Sequence, residues 1–401
     1  MFLLPTAVAM PGALFRTAFG GVGSSVKNLI LVELEGGNDG LNMVVPFGVN
    51  GGSYYSEFRP TIGIPENTLL KLDNFIGLNP TLAKVKTRFD AGKVAIVQGV
   101  GYPSPNYSHE ISKQIWSRGD PSLIQPTGWL ARVLNQFPQP SFPNAMTASD
   151  NPNGAFSGAN EFAPAFGWLG AFDFPTDNWH WQEAGNKRAA YEAIVNAQSS
   201  SGGSVGSMSN TSKNLLSLID TVDTLPQFDH VGVYPEDSYF ADRMQMIARL
   251  MNANLGMHVF QIAQWGFDTH SEQDADSYHS QRIGSVFDTI DAFLVDMAAM
   301  GKLQDTVVVV YTEFGRTVYE NGSGGTDHGT VFPVIVMGGP VNGGIKNAHA
   351  PLDPNLLDDD GEPERQADFR DIFAEIGTKL FGVTASSMFP GFSTNSYGVL
   401  V

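Results

Sequence analysis

There is no cysteine in this 401-residue chain. That excludes disulfides, thiolate-held metals and a cysteine nucleophile. Basic residues are scarce: 23 Lys and Arg stand against 41 Asp and Glu, a formal charge of -18. A surface of that sign repels nucleic acid and anionic lipid. It admits an anionic substrate only where a bound cation or a local Arg reverses the field. Past the first residues no segment approaches the roughly 18 to 20 unbroken apolar residues of a membrane helix. Charged residues make up 16% of the chain and hydrophobic ones 42%, the balance of a globular protein with a substantial core. The length suits one large α/β domain with insertions or two ordinary domains.

Met1 to Phe15 is apolar and rich in small residues, and Ala7-Val8-Ala9 has the small-x-small form of a signal-cleavage site. The basic n-region of such a signal is missing. Residues 1–25 therefore read either as the remnant of an export signal or as a buried N-terminal arm. On the first reading the mature protein is exported, soluble, and periplasmic or extracellular.

Strand-like runs precede most residues of chemical interest. Asn28 to Leu34, Val94 to Val97, Met257 to Ala263, Thr306 to Tyr311 and Phe332 to Met337 are apolar, β-branched runs ended by glycines or polar turns. Such runs are what strands buried on both faces look like. Helical spacing falls between them, over Pro80–Asp90, Gln182–Gln198, Asp237–Asn254 and Asp276–Met300. The alternation predicts a mostly parallel sheet covered on both faces, with chemistry at the carboxyl ends of its strands. Residues 26–401 form a single domain on this reading. A loop-rich insertion is expected at about 121–181, lying over the site as a wall or lid, and a flexible Gly/Ser loop at 199–213.

Two motifs stand out together, Gly266-Phe267-Asp268-Thr269-His270 and Gly325-Thr326-Asp327-His328-Gly329. In an extended segment Asp268 and His270 point the same way, and a carboxylate beside an imidazole is half of a divalent-metal site. His328 offers a third ligand, with Asp327 beside it. Two His and one Asp suit zinc, manganese or iron, with a position left for substrate. Asp39, in Glu35-Gly-Gly-Asn-Asp-Gly-Leu-Asn42, is a further candidate ligand, with Asn38 and Asn42 placed to orient substrate. Glu313 could complete a second, oxygen-rich site with Asp39. Arg316 offers a planar fork for an oxyanion, or else an ion pair with Glu313. In Pro105-Asn-Tyr-Ser-His-Glu110, Ser108 falls at a helix N-terminus, where backbone N–H groups favour anions. A metal-activated Ser108 could act as nucleophile, with His109 as ligand or proton carrier and Asn106 as a substrate contact. Equally, Ser108 is an ordinary N-cap. His180, His230, His258, His279 and His349 lack such context, and His258 reads as structural.

In this order, the stretches Glu35 to Pro46, Pro105 to Trp116, Gly266 to Gln273 and Thr306 to Gly339 resemble a bacterial family catalogued as domain of unknown function 1501, grouped with alkaline phosphatases and sulfatases. The resemblance implies export and an alkaline-phosphatase-like, three-layer α/β/α sandwich with metals at the strand ends. It places Asp39 as the first-strand ligand, Ser108 in the nucleophile region, and Asp268, His270 and His328 in one metal site. Glu313 stands where an alkaline phosphatase has Asp, and Phe314 where it has His. The Asp-Ser-Ala nucleophile motif and the sulfatase formylglycine run are both missing. The expected activity is a metal-dependent hydrolase of phosphate or sulfate esters or a related anionic group, small or polymer-borne, using zinc, manganese or calcium. The alternative is a non-catalytic exported metal- or polymer-binding protein on the same fold.

Overall fold

The computed structural model describes residues 27–48, 52–137, 143–171, 183–274 and 277–401. The expected N-terminal arm, His180 and the end of the insertion lie outside them. In chain order the strands are β1 (Asn28–Glu35), β2 (Val44–Pro46), β3 (Leu70–Lys71), β4 (Ile76–Leu78), β5 (Val94–Gly101), β6 (Ala145–Thr147) and β7 (Val259–Trp265). They continue with β8 (Thr306–Tyr311), β9 (Gly315–Arg316), β10 (His328–Gly329), β11 (Phe332–Gly338), β12 (Gly344–Ile345) and β13 (Ala367–Asp368). The helices are α1 (Gly52–Phe58), α2 (Ala83–Asp90), α3 (His109–Arg118), α4 (Trp129–Leu134) and α5 (Ala184–Gln198). After these come α6 (Gly203–Asp223), α7 (Tyr239–Asn252), α8 (Tyr278–Ala299), α9 (Phe369–Phe381) and α10 (Ala385–Met388).

The main sheet runs β12-β5-β11-β8-β1-β7-β6, with β13 also on β5. All its pairings are parallel except those of β11, which runs antiparallel to β5 and β8. The side chains of β1 alternate between two cores. Ile30, Val32 and Leu34 face α2, α7 and α8, while Leu29 and Leu31 face α3, α4 and α9. This is a three-layer α/β/α sandwich on a mostly parallel sheet, held by apolar burial on both faces. On the second face Trp116 of α3 stacks on Phe369 with ring centroids 4.2 Å apart and on Tyr311 at 5.0 Å, pinning the last turn of α3 to the end of β8.

Register fixes where the chemistry gathers. Glu35 pairs with Trp265, and Glu33 with Tyr311, so β1, β7 and β8 end along one edge. The turns after them, holding Asp39, Asp268 with His270, and Glu313, spring from that edge.

One expectation needs correction. The Gly/Ser segment is not a loop beyond its first residues, because α6 begins at Gly203. Its low helix propensity is overridden by packing: Leu216, Leu218, Ile219 and Val222 are buried, and Tyr191 of α5 donates to Ser212 at 2.8 Å. Of the wall or lid expected of the insertion, its described part takes the form of a wall. It supplies β6 to the sheet beside β7, and buries Trp129, Leu130 and Val133 of α4 in the second core. Among the described residues no helix is long and apolar enough to cross a membrane.

Candidate metal centre

Gly36 and Gly37 follow β1 with φ of 121° and 78°. A Cβ on Gly36 would collide with the backbone of Asp268, so only glycine lets the two turns touch. Their N–H groups donate to the Glu313 carboxylate at 3.0 and 3.2 Å. Burial pushes Glu313 up, but its hydrogen bonds to His109 and the turn outweigh that and hold it below the usual carboxylate range. The buried, ionised Glu313 then takes His109 Nδ1 at 2.8 Å, and that bond raises the imidazole above its ordinary value.

The other two imidazoles are anchored in the same manner. His270 Nδ1 lies 2.8 Å from Asp327 Oδ1, and His328 Nδ1 lies 2.7 Å from the Tyr107 carbonyl. A carbonyl only accepts, so His328 carries its proton on Nδ1, and the carboxylate partners assign the same tautomer to His109 and His270. Each ring therefore turns an Nε2 lone pair inward. His270 and His328 Nε2 are 2.9 Å apart. Both adjoin Asp268 Oδ1, at 3.1 and 3.2 Å, and His109 Nε2 is 3.4 Å from Asp268 Oδ2. Ligand atoms of His109, Asp268 and His328 all lie within 4.8 Å of one another. Burial pushes Asp268 up, but the Arg316 guanidinium overcomes it and holds the carboxyl well below the usual carboxylate range. The Nε2 lone pairs of His109 and His328 and the Asp268 carboxylate, this close together, repel unless a positive charge sits between them, and His270 Nε2 adjoins them beside His328 and Asp268. That donor set fits a divalent transition metal, each ligand carrying the outer hydrogen bond that orients metal-binding imidazoles. Three nitrogens suit zinc, manganese or iron better than calcium, which takes six to eight oxygens.

The structure thus brings His109, Asp268, His270 and His328 together and assigns the remaining candidates elsewhere. Asp39 is fully buried, bonded to Arg59 at 2.5 Å, Gln273 at 2.5 Å and the Leu41 N–H at 3.2 Å. Burial opposes its ionisation, but Arg59 prevails and holds it low. It lies outside the cluster and forms no second site with Glu313. Asn42 accepts from Tyr55 and Arg59, both at 2.8 Å, and Asn38 takes His279 at 2.9 Å. Both amides are buried and cannot orient a substrate. Asn106 caps the Ser108 N–H at 2.8 Å. Asp327 and Glu313 sit at the Nδ1 atoms of His270 and His109, on the outer side of those rings. Arg316 is buried and engaged by the carbonyls of Gly36, Gly37, Phe267 and Thr326 as well as Asp268. Its fork is used up inside the protein, so it is neither an oxyanion clamp nor the partner of Glu313. Ser108 is the exposed N-cap of α3, and its hydroxyl makes no capping bond. It sits between Tyr107 and His109, which both touch the cluster.

Arg59 escaped the sequence reading. It lies just past α1, beside the small antiparallel sheet β2-β4-β3, and the only signal was a lone basic residue before Pro60. Asn321 escaped too; it donates to Asp327 at 3.2 Å and to the His270 carbonyl at 2.9 Å. Phe314 packs its ring 4.3 Å from that of His328 and 4.9 Å from that of His109, an apolar wall behind the imidazoles. Of the remaining histidines, His258 pairs with Asn28 at 2.7 Å and His230 with Asp296 at 2.7 Å, both structural contacts.

No curated protein matches the sequence. Among solved structures the chain is similar to the PsFucS1 sulfatase from Pseudoalteromonas sp., at 11% identity over 97% of this chain and 76% of that one, TM-score 0.40. It is also similar to the C-terminal periplasmic domain of EcEptC from Escherichia coli in complex with Zn, at 9% identity over 94% and 93%, TM-score 0.39. A lipoteichoic acid synthase, LtaP from Listeria monocytogenes, superposes at 11% identity over 97% and 80%, TM-score 0.32. Likenesses of this degree assign no activity. A family model described as Protein of unknown function (DUF1501) matches residues 98–389, and the chain belongs to that family.

Proposed function

We propose that the chain is an exported, metal-dependent hydrolase of phosphate or sulfate esters or a related anionic group. The observation that carries the reading is the convergence of three Nδ1-anchored imidazoles on Asp268. His109, Asp268, His270 and His328 would hold one cation, zinc being the best match to three nitrogens and one oxygen. When bound, the cation polarises the ester oxygen and lowers the pKa of a nearby hydroxyl or water. Glu313, Asp327 and the Tyr107 carbonyl accept at Nδ1 and so hold the three rings turned with Nε2 inward. Arg316 holds Asp268 ionised from behind. Ser108, exposed at the N-terminus of α3 and flanked by two residues that touch the cluster, is the candidate nucleophile, and the N–H groups of that turn favour the anionic group under attack. Export rests on the apolar, small-residue start of the sequence.

The non-catalytic reading keeps one favourable observation: Arg316, expected to bind the anion, has its fork engaged inside the protein. Elemental mass spectrometry of the purified protein, followed by a screen of 4-nitrophenyl phosphate and sulfate with the metal found, separates the two. About one metal per chain with hydrolysis lost in Ser108→Ala supports the enzyme. Metal without turnover favours the binding protein, and no metal after zinc, manganese or calcium is added removes the metal-dependent hydrolase and leaves a polymer-binding role without metal.

A further inference from the structure

Beside the cluster, on the sheet face covered by α3, opens a cleft of about 430 Å³. This lies within the range of small-molecule sites, roughly 300–1,000 Å³. Glu33 and Gln261 form its floor, α3 one wall, and the segment after β6 the other. The helix ties the cleft to the centre: His109 opens α3, and Lys113 and Ser117 follow on the same face, ~6 and ~12 Å along the axis at the helical rise.

The lining has hydrogen-bonding capacity that the protein leaves open. The side chains of Gln114, Ser117, Ser149 and Asn151 face the cleft and make no hydrogen bond among the described residues. Glu33 is 7% exposed and only weakly engaged, by Gln261 at 3.3 Å and Tyr311 at 3.5 Å. Burial pushes its carboxyl up to about 8, so it is protonated and can donate. At the mouth Glu35 and Lys113 neutralise each other. An apolar ligand would strand these amides and hydroxyls without partners. Glu35 and Glu110 stand against Lys113 and Arg118 in the lining, so it draws neither a second anion nor a cation. A neutral group with many hydroxyls, donor and acceptor at every position, matches what remains.

We propose that this cleft binds the uncharged, hydroxyl-rich part of the substrate, a glycosyl or polyol group whose ester reaches the neighbouring metal centre. The link to an ester rests on the hydrolase reading, whereas saccharide binding in the cleft does not. Saturation-transfer NMR with a panel of neutral di- and trisaccharides tests it, on the full chain without added metal. We expect saturable binding, weakened at least tenfold in Gln114→Trp and, from the opposite wall, in Asn151→Trp, each checked for folding by its melting temperature. His270→Ala, which strips the metal centre, should bind the saccharide as the wild type does. The proposal is overturned if no neutral saccharide binds, if binding survives both tryptophans, or if only cations such as ethanolamine bind. Hydrolysis absent while the cleft still binds sugar would remove the catalytic reading alone. Small esters hydrolysed by a protein that binds no sugar would remove the cleft alone.

Discussion

Asp39 and Asp268 follow neighbouring parallel strands, and each lies beside an arginine that keeps it ionised. Around Asp39 everything is closed: the side chains of Asp39 and Arg59 have no exposure, and both carboxylate oxygens accept from protein donors. Asp268 is 49% exposed, and beyond its one bond to Arg316 it faces imidazole nitrogens whose protons are committed elsewhere. Equal charge and similar position give opposite roles. A carboxylate whose acceptors are all filled from within is scaffold; one confronted by unfilled lone pairs is an arrangement that a cation would satisfy. Glu362 makes a third case. It is buried without an ion pair among the described residues, its Oε2 has no hydrogen-bond partner among them, and desolvation raises it from 4.5 to about 8 against the weaker pull of Arg59, keeping it neutral.

The largest expected effect is at the open aspartate. His270→Ala or His328→Ala should reduce metal affinity by more than ~100-fold, beyond the roughly 10–100-fold typical of outer-shell losses. Isothermal titration with zinc would measure it, and unchanged affinity would dissolve the distinction between the two aspartates. At the closed aspartate, Arg59→Met should cost ~3–5 kcal/mol of folding free energy by stranding a buried charge. Metal stoichiometry should stay intact, as read by denaturant unfolding beside metal analysis. Metal loss from a folded Arg59→Met protein would place Asp39 in the site after all.

Glu313→Gln joins the two regions, since it keeps the shape and removes the charge that His109 leans on. Metal affinity should fall roughly 10–100-fold with little change in melting temperature. The smallest effect concerns Glu362. Its folded value lies above its unfolded one, so the folded state binds the extra proton, and its contribution is complete below pH 4.5 and lost as pH rises through about 8. Urea unfolding across that window should show wild type losing stability relative to Glu362→Gln as pH rises. Parallel profiles would mean the carboxyl titrates normally.

Much of this was legible in the sequence, for identifiable reasons. β1, β5, β7, β8 and β11 declare themselves because strands buried on both faces are unbroken apolar runs. Asp268, His270 and His328 stand out because glycines bracket them at strand ends. The antiparallel direction of β11 was hidden, since an apolar run carries no sign of its orientation. β6 was hidden because three residues make no pattern, and the helix α6 because its first turns are Gly and Ser and only later packing decides them. The roles of Asp39 and Arg316 were hidden for one physical reason. A charged residue reads the same in sequence whether its partner is solvent, substrate or a buried carbonyl, and only the fold brings Arg59 to Asp39 and four carbonyls to Arg316.

The most direct measurement is X-ray absorption on the zinc-loaded protein. A four-coordinate shell of three nitrogens and one carboxylate oxygen at about 2.0–2.2 Å, with outer-shell imidazole scattering, is the expected result. Six oxygens with no imidazole signal would show zinc held only by surface carboxylates and water, and would contradict the centre at Asp268.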